Sequence, residues 1–284
     1  MPNAPVAFVS GASRGIGKQS AIALARAGLD VVITARTVRE GEGVDDSDNA
    51  GRSLPGSLET TAAAIDATGR RALPLTMDLH DRATLGVAVE RTLAEWGRID
   101  VLVNNAVDTG PGSMALFDDT SVEVIEAKLD ANVVSQIVLI KAVLPGMLER
   151  GDGIVVNITS AVAITDPPAP AGEGGWGSAY AMSKGAFHRL AAILAVEYRD
   201  RGLRFFNVEP GFVVTERMEV NAERLGLDGV YPGAPPTVPA AVVAWLATEP
   251  EAKELNGQTI SAQKFARQRG LHDDWRPAKK TMGA

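Results

Sequence analysis

Residues 5–10, Pro-Val-Ala-Phe-Val-Ser, read as a short buried strand. They run straight into Ser10-Gly11-Ala12-Ser13-Arg14-Gly15-Ile16-Gly17, and an alanine-rich helical stretch, 18–27, comes next. This order constrains the fold more than any other feature of the chain. A strand, a glycine-rich turn and a helix form the first half of a dinucleotide-binding unit. The glycines let the backbone turn tightly and approach a pyrophosphate, which then sits on the free N–H groups of the helix start. On this reading Gly11, Ser13, Arg14, Gly15, Ile16 and Gly17 form a phosphate-binding turn. A glycine triplet by itself also serves as a plain helix-capping turn, so the weight rests on the remainder of the chain.

Strands and helices alternate from there to the C-terminal region. Strand patterns fall at 30–35, 71–76, 99–103, 154–158, 204–208 and 258–261, and helical patterns at 57–68, 83–96, 121–147, 178–198 and 240–247. The alternation calls for an α/β fold, a doubly wound Rossmann fold with a seven-stranded, mostly parallel sheet and helices on both faces. The 284 residues are expected to form one domain, 1–284, with insertions near 161–177 and 212–236. Residues 161–177 hold three prolines and four glycines and read as a wall of a substrate pocket, and 212–236 as a lid. Residues 40–56 read as an exposed loop near an adenine, with disorder as the other reading. The tail from Lys264 reads as polar, with Trp275 and Arg276 as anchors.

Composition removes several function classes. The net charge is −7 with no long basic run, which argues against nucleic acid and anionic membrane as partners. With no cysteine there is neither a disulfide framework nor thiolate chemistry. The three histidines, His80, His188 and His272, are too scattered to suggest a metal site. No apolar run in the sequence reads as a membrane span, and a cytoplasmic location is expected.

The candidate site residues lie after strands, where ligands bind in such sheets. The second strand ends Ala35-Arg36, with Arg39 close by. An acid at that place would bind the ribose hydroxyls of NAD. Arg36 and Arg14 instead suit a 2′-phosphate, which a guanidinium pairs with in a two-pronged way. NADP(H) is therefore the expected cofactor, with NAD(H) as the alternative, and Arg39 is equally well read as solvated. After the third strand, the Asp78 carboxylate of Asp78-Leu79 could accept from an adenine amino group, and Asp81 reads as a helix N-cap. Asn104-Asn105-Ala106 closes the fourth strand, where small polar residues allow contact with a ribose. Asn132 lies inside a helical pattern. Either it is merely tolerated there, or the local hydrogen bonding is broken around it.

Ser160 lies just past the fifth strand, and Tyr180 and Lys184 stand at i and i+4, one turn apart on one helical face. An ammonium one turn away favours the phenolate. Bringing a phenol from about 10 to about 7 takes roughly 4 kcal/mol of differential stabilisation. Taken alone, the pair reads first as an amphipathic surface residue and a solvated charge, and the rest of the chain reverses that order.

Together these motifs resemble the short-chain dehydrogenase/reductase superfamily, in its compact single-domain branch. Gly11-x-x-x-Gly15-x-Gly17, Asp78-Leu79, Asn104-Asn105-Ala106, Asn132, Ser160, Tyr180-x-x-x-Lys184 and Pro210-Gly211 occur in the family's order, from about Val6 to about Ser261. Leu54-Pro55-Gly56-Ser57 also looks like a branch with hydroxysteroid-dehydrogenase-like proteins. The resemblance implies an oxidoreductase acting on a small ketone or secondary alcohol. It implies a catalytic tetrad in which Tyr180 moves the proton and Ser160 binds the substrate oxygen. Lys184 would hold the ribose and lower the Tyr180 pKa, and Asn132 would hold a water. Pro210, Gly211, the Val213 backbone and Thr215 would hold the carboxamide. It further implies a homotetramer or homodimer pairing helices 122–147 and 179–198, with Ala181, Ala191, Ala192 and Ala195 allowing close approach. Val107 and Ala163 stand where the family has glycine, and Gln263-Lys264-Phe265 where it has Asp-Gly-Gly. Residues 161–177 lengthen the pocket rim. From another class, an NADP(H)-binding sensor without turnover would keep the fold and lose the tetrad.

Overall fold

The computed structural model describes residues 4–47, 51–221, 233–273 and 275. Seven strands, β1 (Val6–Ser10), β2 (Asp30–Ala35), β3 (Ala72–Thr76), β4 (Val101–Asn104), β5 (Gly153–Ile158), β6 (Leu203–Glu209) and β7 (Thr259–Ser261), form one sheet in the order 3-2-1-4-5-6-7. All six pairings are parallel. The order reverses between β1 and β4, so the C-terminal ends of these two strands open the crevice where such sheets bind ligands.

β1, β2, β4 and β5 are buried at every position, which is why apolar residues dominate them. Successive side chains still go to opposite faces. Ala7 and Val9 join one core with Val31, Ile33, Val101 and Val103. Val6 and Phe8 join the other with Val32, Leu102 and Val155. The first core is closed by α1 (Gly15–Arg26), α2 (Leu58–Asp66), α8 (Thr237–Thr248) and α9 (Ala262–Arg269). The second is closed by α3 (Arg82–Trp96), α5 (Ser135–Arg150) and α6 (Ser178–Glu197). Ser57 caps α2 in a reciprocal capping box with Thr60, and Asp81 caps α3 by accepting from the Ala83 N–H.

One alternative is decided at Asn132, and three expectations are corrected. The helix through Asn132 is not uniform. α4 (Val122–Leu129) passes through a π-helical turn, Asp130–Val134, into α5. The whole helix, Val122–Arg150, has the length and apolar character of a membrane span, contrary to the reading that no run does. Leu139, Ile140, Val143, Leu144 and Met147 on it are buried in the second core. Lys264 does not begin a polar tail: it lies within α9, whose Ala262 and Ala266 are buried, and Phe265 and Trp275 pack on the first core. Residues 40–56 are not simply exposed either, since Asp45 and Leu54 are buried within them. The expected lid contains α7 (Glu216–Asn221). Its residues 222–232, and the anchor Arg276, lie outside the described residues.

Candidate active site

A cavity of about 280 Å³ opens at the C-terminal ends of β1–β4. Gly11, Ser13, Arg14, Gly15, Ile16, Arg36, Asp78, Leu79, Asn105, Ala106 and Thr215 line it, together with Val107, Asp108 and Arg217. Gly17 lies behind this wall. A Cβ there would stand 2.2 Å from the Gly11 carbonyl oxygen and 2.4 Å from Asn105 Nδ2. The glycine turn is therefore a tight cradle of backbone, and Gly15 closes it at φ +56.

Asn105 builds this cradle. Its Nδ2 donates to Ser10 O (2.9 Å) and Gly11 O (3.0 Å). The N–H groups of Asn105 and Ala106 both donate to Ser10 Oγ. The side chain expected to meet a ribose is thus committed to the protein. Asp78 accepts from the His80 N–H with one oxygen (3.0 Å) and still lines the cavity.

The two arginines expected to be free for a phosphate are engaged. Arg14 donates to Pro55 O, Gly56 O and Thr37 Oγ1. Burial, with Arg217 nearby, lowers its pKa. Arg36 pairs with Asp46 at 2.5 Å. Burial would lower the Arg36 pKa, but the hydrogen bond and charge of Asp46 raise it. Arg39 is exposed, in line with its solvated reading.

Asn132 sits in the π-helical turn, where the widened backbone frees its side chain to bridge two elements. Its Oδ1 accepts from the Asp108 N–H (2.7 Å), and its Nδ2 donates to Ser183 Oγ (3.1 Å). Ser183 donates on to the Tyr180 carbonyl (2.8 Å). Lys128, fully buried, braces the same loop by donating to Asp108 Oδ2 (3.2 Å) and Gly110 O (3.1 Å). Neither Lys128 nor Arg217 stands out in the sequence. The signal for Lys128 is a lysine one turn before Asn132, on the same helical face.

α6 can begin where it does because its cap, Gly177, leaves room. A Cβ there would stand 2.5 Å from the Gly112 carbonyl oxygen. Tyr180 is half-buried, with the Ser160 side chain acting on its phenol. Lys184 is 4% exposed and donates to the Ile158 carbonyl (3.0 Å). Burial and the Ser160 side chain, rather than Lys184, are what act on the Tyr180 phenol here. Burial pushes it up, and the Ser160 side chain pulls it back. The lysine is the depressed group, brought to about 8 by burial.

On the far side of the cleft, Pro210 and Gly211 form a turn clamped by Gln263. Its Nε2 donates to Pro210 O (3.1 Å) and Phe212 O (2.9 Å). Val213 is buried and bridges to Ala234, and Thr215 approaches Gly15. Two alanines expected at a subunit interface, Ala191 and Ala195, belong to the second core instead. The exposed apolar face of α6 carries Met182, Ile193 and Val196.

A parallel sheet of this order, with a glycine cradle at its switch point, defines a dinucleotide-binding α/β protein. The cradle suits an anion, since the Gly15 N–H already holds a carboxylate oxygen, Glu216 Oε2, at 2.8 Å. Residues 50–225 match the family model described as short chain dehydrogenase. The chain is 31% identical over 261 residues to a 3-oxoacyl-[acyl-carrier-protein] reductase of Synechocystis sp., covering 91% of this chain and 95% of that one. It is 32% identical over 210 residues to a 2-(R)-hydroxypropyl-CoM dehydrogenase of Xanthobacter autotrophicus, covering 74% and 75%. A solved short-chain type dehydrogenase/reductase from Mycobacterium marinum superposes with a TM-score of 0.75 at 25% identity, over 91% of this chain and 94% of that one. The chain belongs to the short-chain dehydrogenase/reductase family, and is an NAD(P)-dependent oxidoreductase.

Proposed function

We propose that this enzyme interconverts a ketone and a secondary alcohol, with NADP(H) preferred over NAD(H) and Tyr180 as the acid and base. The observation that carries the reading is that the Ser160 side chain acts on the Tyr180 phenol, one helical turn from the buried Lys184. Two hydroxyls that meet at one point can both hold a single substrate oxygen. The names of the two relatives, a reductase of a 3-oxoacyl group and a dehydrogenase of a hydroxypropyl group, describe chemistry of that kind.

A bound nicotinamide dinucleotide supplies or takes up the hydride. Ser160 donates to the carbonyl oxygen and fixes its place. Tyr180 gives that oxygen its proton in reduction and removes it in oxidation. Lys184 holds the ribose and keeps positive charge near the phenol as the proton leaves it. Asn132 fixes Asp108 on the cavity wall and, through Ser183, the first turn of α6. Gly11, Gly15 and Gly17 shape the pyrophosphate seat, and Arg14 and Arg36 select the 2′-phosphate. Pro210, Gly211, Val213 and Thr215 border the carboxamide end. One domain, in the cytoplasm, assembled as a homotetramer or homodimer through the exposed face of α6, completes the reading.

The test is a panel of ketones and secondary alcohols, followed by dinucleotide absorbance with NADPH and NADH, on wild type and Tyr180→Phe. Turnover should appear in wild type and favour NADPH. The Phe variant should bind dinucleotide normally and turn over ~100- to 10,000-fold more slowly. A Phe variant as fast as wild type refutes the assignment of the proton to Tyr180.

A further inference from the structure

Both anion seats of the dinucleotide cleft are held by carboxylates of the chain itself. At the glycine turn, the Gly15 N–H that opens α1 donates to Glu216 Oε2 at 2.8 Å. At the end of β2, Arg36 Nη2 donates to Asp46 Oδ2 at 2.5 Å. Arg217, the neighbour of Glu216 on α7, donates through Nη1 to Asp46 Oδ1 (2.7 Å) and Asp45 Oδ1 (2.8 Å). Asn221 Nδ2 adds a hydrogen bond to Asp45 Oδ2 (2.7 Å). α7 thus reaches from the pyrophosphate seat to the adenosine end. Burial would raise the Asp46 pKa, but the hydrogen bonds from Arg36 and Arg217 hold it at about 2, so it is ionised at neutral pH.

We propose that Glu216 and Asp46 are built-in competitors for the dinucleotide, Glu216 for its pyrophosphate and Asp46 for the 2′-phosphate that distinguishes NADP(H). The proposal rests on the NADP(H) reading above. Two anions do not share one N–H or one guanidinium face at contact distance, because like charges there repel. A dinucleotide entering the cleft must therefore displace each carboxylate whose donors it takes. NAD(H), lacking the 2′-phosphate, displaces Glu216 and leaves Asp46 on Arg36. NADP(H) displaces both and breaks the Arg217 tie between them. Asp46 thereby narrows the discrimination that Arg14 and Arg36 alone would give, and acts as a specificity-determining residue. Arg217, released from Asp46, keeps its bond to Asp45.

The test is calorimetric titration of NADPH and NADH into wild type, Glu216→Gln, Asp46→Asn and the double variant, with melting curves to establish that each is folded. Both competing pairs are partly exposed, which limits the effect to roughly three- to tenfold in affinity. Glu216→Gln is expected to tighten both dinucleotides by a similar factor. Asp46→Asn is expected to tighten NADPH by that factor and NADH by less than about twofold. Unchanged or weaker binding of NADPH in both single variants overturns the proposal, as does equal tightening of the two dinucleotides by Asp46→Asn. A wild type that prefers NADH, with variants behaving as expected, overturns the NADP(H) reading and leaves the competition standing. If wild type binds neither dinucleotide, NADPH binding by the double variant supports the proposal, and its absence overturns both.

Discussion

Replacing Lys184 with methionine is expected to leave the fold about as stable at pH 7, or more so, while turnover is lost. The ammonium is 4% exposed, and burial takes its pKa from the ordinary 10.5 to about 8. A base whose folded pKa lies below its unfolded value binds its proton less well once folded. The unfolded chain then holds more protons, and stability rises with pH between about 8 and 10.5. At pH 7 both states are protonated and the penalty is complete. At ~1.36 kcal/mol per pKa unit it is roughly 3 kcal/mol, falling to roughly 1 kcal/mol at pH 10. Methionine removes the charge at similar length but leaves the Ile158 carbonyl without this donor, which costs about 1–3 kcal/mol. The variant should therefore lie between equal stability and about 2 kcal/mol above wild type at pH 7. Urea unfolding of both chains at pH 7, 8, 9 and 10 reads the difference, which should move by about 2 kcal/mol in favour of wild type as pH rises. The Tyr180 phenol, raised by burial, opposes folding as pH rises through its ordinary 10.0, and it does so in both chains. A stability difference that stays flat from pH 7 to 10 would refute the reasoning.

Three further outcomes are expected. Lys128→Met should cost about 3–5 kcal/mol in urea unfolding, because it strands the Asp108 carboxylate that the buried ammonium neutralises. Gly17→Ala should weaken both dinucleotides by at least about tenfold in titration, since its Cβ meets backbone at 2.2 Å and forces the cradle open. Joint substitution of Ile193 and Val196 with lysine should give monomers by light scattering at micromolar concentration, because these residues, 45% and 63% exposed, form the apolar face of α6.

The sheet is legible in the sequence because its strands are buried on both faces and each is punctuated by glycine or small polar residues. β2 falls at the very residues its apolar run suggests, 30–35. The π-helical turn can be posed as an alternative at Asn132 but not decided, since one widened turn leaves the apolar period almost unchanged. α9 is hidden by composition: it is polar overall and buries only a narrow stripe around Ala262 and Ala266. The engagement of Arg14 and Arg36 is out of reach for a different reason. Their partners lie up to 42 residues away in a loop with no period, and nothing local assigns a carbonyl such as Gly56 O to Arg14. Spacing reports the proximity of Tyr180 to Lys184 but not the burial that pushes the phenol up.

The turn at Asp130–Val134 divides one continuous rod into two segments out of phase. Each residue of an α-helix advances about 100° around the axis, and the longer i→i+5 closure absorbs one residue without lengthening the ladder of bonds. α4 and the π-helical turn pack against α6, while α5 packs against α3. The site depends on that offset: Lys128 is set before it, Asn132 within it and Gln136, bonded to the Ala106 carbonyl, after it. Three side chains spaced four residues apart along one rod thus reach the same wall of the cleft, the loop from Ala106 to Gly110.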